Sequence, residues 1–161
     1  MSTYKIIGAS LVLLSALIFV RAYSGFLKKR RAEGEELYRF LLHISSGVRR
    51  SLATPEALAS DFKSETETVS SFISLVSEGR SLYEAFSMVT FSLGREIREE
   101  FSELFSGFGN NYLEAELMRL SDYEKSISEL LLSEKDESEK SERTVRASVI
   151  AAALGIVILL I

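Results

Sequence analysis

The sequence predicts an all-α protein: a helical domain, expected in the cytoplasm, between an N-terminal and a C-terminal transmembrane helix. Three observations lead there. The charge is segregated, with all 23 acidic residues between Glu33 and Glu142, only Lys5 among the basic ones before Arg21, and none after Arg146. The apolar residues of the middle recur at i, i+3 and i+4 rather than in alternation, which is the helical period. A single proline and nine glycines in 161 residues leave few breaks.

The first element is a span over residues 4–23. Ile6–Val20 is an uncharged run of 15 residues, covering roughly 22 Å of a ~30 Å hydrocarbon core. Lys5 and Arg21 lengthen it by snorkelling, and Tyr4 and Tyr23 stand where an aromatic belt is expected. A cleaved signal peptide is the alternative, but the basic cluster Lys28, Lys29, Arg30 and Arg31 opposes export of the chain beyond it. The last element is a second span over 145–161. Its tail from Ala147 has no charged side chain, and no polar face with which to sit on a small soluble core. Basic residues flank the middle side of both spans: Arg21 and the 28–31 cluster after the first, Lys140, Arg143 and Arg146 before the second. The positive-inside rule therefore places the middle in the cytoplasm and both termini outside.

Residues 24–143 form the helical domain. Glu35–Arg50 is amphipathic through Leu37, Phe40, Leu41, Ile44 and Val48, with His43 among them as a packed or surface residue rather than a ligand. Thr54-Pro55 starts a helix as N-cap and first helical residue, with Ala57, Leu58 and Phe62 as its apolar face. Val69–Ser77 carries Phe72, Ile73 and Val76 and stops at Glu78-Gly79. Ser81 and Glu84 make a capping box for a helix bearing Leu82, Ala85, Phe86 and Val89. A helix from about Gly94 carries Ile97, Phe101, Leu104 and Phe105 and breaks at Gly107–Asn111. From Tyr112 a last helix offers a seam of Leu113, Leu117, Leu120, Ile127 and Leu131, interrupted by Glu124. The polar stalk at 132–143 fits a solvated helix or a flexible linker. Opposite charges four apart (Asp136 with Lys140, Glu139 with Arg143) tilt it toward helix.

No reaction chemistry is legible. The chain has one histidine and no cysteine, so nucleophile–base pairs, disulfides and thiolate metal sites are not available. Phosphate-loop, HExxH and GxSxG patterns are missing. Carboxylate pairs such as Glu99-Glu100 and Glu114/Glu116 read as solvated helix faces. No catalytic, cofactor-binding or metal-binding residue is assigned, no cofactor is expected, and the protein is expected not to be an enzyme. The net charge of −4 argues against a nucleic-acid partner. Small residues in both spans (Gly8, Ala9 and Ser15; Ala151–Ala153 and Gly155) permit the spans to pair without requiring it.

Four stretches carry a family resemblance: FLLHISSGVRRSLATPEAL (Phe40–Leu58), LVSEGRSLYEAF (Leu75–Phe86), FSELFSGFGNNYLEAELMRLSDY (Phe101–Tyr123) and the tail ALGIVILLI (Ala153–Ile161). Their order resembles the stage III sporulation protein AB family of endospore-forming Firmicutes. Ser141 and Glu142 interrupt the basic run that the family usually carries before its last span. The resemblance implies a cytoplasmic domain similar to that of type II secretion F-type platform proteins. It further implies a channel or secretion complex in the mother-cell membrane around the forespore. Implied partners are the membrane and the other stage III A operon proteins, including the secretion-type ATPase, stage III sporulation protein AA. Whether the chain also forms a homo-oligomer stays open. The alternative reading is a membrane-anchored helical tether or signal relay unrelated to secretion.

Overall fold

The computed structural model describes residues 3–51 and 54–160. Ser2, and Ile161 at the end of the expected second span, lie outside them. All elements among the described residues are helices: α1 Thr3–Ser51, α2 Pro55–Asp61, α3 Glu67–Ser77, α4 Leu82–Met88, α5 Arg95–Ser106 and α6 Leu113–Leu160. Two expectations about continuity are sharpened. The first span and the Glu35–Arg50 helix are one element, because Lys28–Arg31 are good helix formers and no proline intervenes. The segment left open between stalk and linker is helical throughout, inside α6.

The chain divides into two compact units, Lys29–Glu134 and the pair of ends Met1–Lys28 with Lys135–Ile161. The first unit is a helical bundle with an aromatic centre. Phe40, Phe72 and Phe101 are fully buried. Phe72 meets Phe40 edge to face at 5.5 Å and 90°, and stacks on Phe105 at 5.6 Å. Phe86 stacks on Phe91 at 5.0 Å. Such offset and edge contacts suit the ring quadrupole and add to the burial of large apolar area. Leu120 and Ile127 of α6 complete the core, but Leu113 is exposed and Glu124 faces Arg49 at 3.7 Å. The seam expected along α6 is thus shorter than five positions. On α2 the inward residues are Leu58 and Ala59, with Phe62 against Phe40 at 5.2 Å; Ala57 points outward.

Local signals fix the helix ends. Thr54 Oγ1 accepts from Ala57 N at 3.5 Å. Ser81 Oγ accepts from Glu84 N, whose carboxylate accepts in return from Ser81 N, closing the capping box. Gly79 takes φ +91° after α3, a conformation that L side chains rarely adopt. Gly47 serves a different need. A Cβ there would collide with the Leu58 side chain, so glycine lets α2 press against α1.

In the second unit the two ends lie antiparallel. Tyr23 and Ser141 hydroxyls are 2.7 Å apart, and Ser24 Oγ donates to Glu142 at 2.6 Å. Ala153 is buried, the small side chain allowing close packing. The outward surface is hydrocarbon: Ile6, Leu11, Leu14, Leu17, Ile18 and Phe19 of α1 are all more than half exposed.

Candidate functional site

Three buried carboxylates are the chemically notable groups of the bundle. Glu33 and Glu36 on α1 are completely buried, and Glu116 on α6 nearly so. Each is spent on chain geometry. Glu36 accepts from Ser64 Oγ at 2.7 Å, Thr66 N at 2.9 Å and Glu65 N, and so ties the start of α3 to α1. Glu33 accepts from Thr68 Oγ1 at 2.7 Å and from Ser92 N, with Lys29 Nζ at 3.7 Å. Glu116 accepts from Gly109 N at 3.3 Å, Asn111 Nδ2 at 3.0 Å and Arg119 at 2.9 Å, which pins the turn before α6. Arg119 also donates to Leu104 O at 3.1 Å and lies over the Tyr123 ring.

Burial by itself raises the Glu36 pKa. The bonds from Thr66, Glu65 and Ser64 outweigh it, and the carboxyl sits below its ordinary value. Glu116 behaves alike: burial raises, and the bonds from Arg119, Asn111 and Gly109 lower by more. Both are held ionised, as hydrogen-bond acceptors. A general acid needs the opposite shift.

The Glu114/Glu116 pair therefore divides, Glu114 to solvent and Glu116 to the interior. The buried acids did leave a signal. Glu33 and Glu36 stand four residues before Leu37 and Phe40, and Glu116 four before Leu120, all on core-facing rows. Glu99 is exposed and bonded to Arg95 at 2.7 Å. His43 Nε2 donates to Leu58 O at 3.0 Å, a packing role. No group of three His, Asp or Glu suited to a metal ion occurs among the described residues.

A shallow groove of about 520 Å³ opens beside Glu35, Tyr38, Arg39 and Glu65. Arg39 pairs with Glu65 at 2.9 Å, Glu36 is occupied, and Glu35 stands exposed to solvent. The 28–31 basic cluster is partly spent too: Lys29 pairs with Glu33 and Arg30 with Glu134. Exposed apolar side chains gather where α6 begins, at Tyr112, Leu113 and Met118. Bundle residues carry 12 basic against 19 acidic side chains, a net −7; the paired ends carry 7 against 4, a net +3.

These features define a class: a helical protein with an acidic bundle and, among the described residues, one helix, α1, long and apolar enough near its N-terminus to cross a membrane. The family model for stage III sporulation protein AB matches residues 5–161, and the chain belongs to that family. No curated protein and no solved structure matches the chain.

Proposed function

We propose that the protein is a non-enzymatic platform component of a sporulation-specific channel or secretion complex. Both ends cross the membrane, the bundle lies in the cytoplasm, and it docks a secretion-type ATPase, stage III sporulation protein AA. The membrane is the mother-cell membrane around the forespore. The observation that carries this reading is membership of a sporulation family across residues 5–161, in a chain whose apolar ends are uncovered. The absence of charge from Ala147 onward supports the second span. The spending of Glu33, Glu36 and Glu116 on backbone amides and hydroxyls supports a role without acid–base chemistry.

The test is co-purification. The full chain, solubilised with the other stage III A membrane proteins, is expected to retain the ATPase. Failure to retain the ATPase with those proteins present would overturn the docking role. It would leave the tether or relay reading, which the Tyr23–Ser141 and Ser24–Glu142 bonds between the two ends favour.

A further inference from the structure

We propose that the paired ends hold one anionic glycerophospholipid, one of its two acyl chains in the groove between them and its phosphate on Arg21 and Arg146. The proposal rests on the two-span reading above. The groove has a volume of about 480 Å³, within the ~300–1,000 Å³ typical of small-molecule sites. Its walls are apolar: Leu13, Ala16, Leu17 and Val20 on one helix, Ile150 and Leu154 on the other.

The polar residues are confined to one end. Arg21 stands eight positions after Leu13, and Arg146 eight positions before Leu154. In antiparallel helices these offsets bring both guanidinium groups to the same level, about 12 Å from the far end of the groove. Neither arginine has an ion pair or hydrogen bond among the described residues. That contrasts with Lys29 and Arg30, which are paired. Two acids, Glu139 and Glu142, stand on the same helix beside Arg146 outside the groove, and Glu142 already accepts from Ser24. A phosphodiester matches a site that offers two cations above hydrocarbon, because guanidinium donors pair with phosphate oxygens bidentately. Basic pockets between spans on the cytoplasmic side bind anionic headgroups for this reason. A zwitterionic lipid offers the same phosphate but carries its own cation to that end.

The full chain in an uncharged detergent is titrated with phosphatidylglycerol or phosphatidylcholine, and retained lipid is counted by native mass spectrometry. One phosphatidylglycerol is expected, at least tenfold preferred. The R21Q/R146Q variant should abolish the preference with helicity unchanged. The variant A16F, which fills the groove and leaves both arginines, should weaken phosphatidylglycerol retention at least fivefold. R143Q, outside the groove, should leave retention within twofold. Equal retention of the two lipids, or a preference that survives both groove variants, overturns the proposal. Glycerol phosphate binding as tightly as the lipid also overturns it, since the groove would then contribute nothing. Alkaline extraction of membranes separates this failure from that of the spans. A chain that stays with the membrane but shows no lipid preference keeps the spans and loses the lipid site.

Discussion

Leu17 and Leu37 lie twenty residues apart on the same helix, one 61% exposed and the other fully buried. The difference belongs to the two units they serve. In the bundle, six phenylalanines and the aliphatic residues around them remove one another from water, and the polar groups caught inside are all acidic or hydroxyl-bearing. In the paired ends, comparable apolar content faces outward, and side-chain bonds at Tyr23 and Ser24 join one end to the other. The bundle encloses its apolar side chains; the ends leave most of theirs exposed. The comparison teaches that composition alone does not say which solvent a helix is built for. Burial partners do.

The sharpest way to break the comparison is to cut the same kind of group from each unit. Phe72→Ala removes a ring that touches Phe40, Phe86, Phe91 and Phe105. It is expected to cost about 3–5 kcal/mol in denaturant unfolding of the full chain in detergent. Leu17→Ala should leave that transition within about 0.5 kcal/mol. Similar losses from both would show that the ends share the bundle's core.

Next in size is Glu36→Ala. It orphans Glu65 N and Thr66 N, leaves Ser64 only its bond to Thr66 O, and is expected to cost about 2–3 kcal/mol in the same transition. The sign with pH follows from the depressed carboxyl pKa values. In the folded chain Glu36 and Glu116 lie below their ordinary 4.5. Their contribution is complete above the unfolded value and is lost as pH falls through the lower folded value. Wild type should therefore lose stability on acidification below about pH 4.5, and the E36Q/E116Q chain should lose less over that window. An unchanged pH profile in that variant would remove these two acids from the account.

Gly47→Val drives a side chain into Leu58 and is expected to cost about 1–3 kcal/mol, read by the same unfolding. The smallest effect is Ser81→Ala, about 1 kcal/mol, with faster amide exchange confined to the first turn of α4. If exchange quickened throughout the bundle instead, α4 would not be a locally capped unit.

The sequence showed most where signals are local. Thr54-Pro55, the Ser81/Glu84 box and Gly79 each act within one turn, and all hold. The helical rows of Leu37, Phe40, Leu41 and Ile44 likewise identified one wall of the core. The buried acids were harder to see. The partners of Glu33 and Glu36 (Ser64, Glu65, Thr66, Thr68 and Ser92) are remote in sequence, and those of Glu116 (Gly109 and Asn111) lie in a turn whose path the sequence does not show, so composition alone shows only a charged residue on a helix. Glu114 and Glu116 look alike until the turn at Gly109 closes on one of them. Ser141 and Glu142, which interrupt the usual basic run, are the residues that bond Tyr23 and Ser24, a pairing visible only once the two ends are side by side.

The central claim is that the bundle stands in the cytoplasm between two spans. It is tested most directly by single cysteines, since the chain has none. Ser2→Cys, outside the described residues, and Ser133→Cys, exposed on α6, are each treated in intact cells with a membrane-impermeant thiol reagent. The account predicts labelling at position 2 and none at position 133. The reverse pattern would put the bundle outside, away from any cytoplasmic ATPase, and would contradict it.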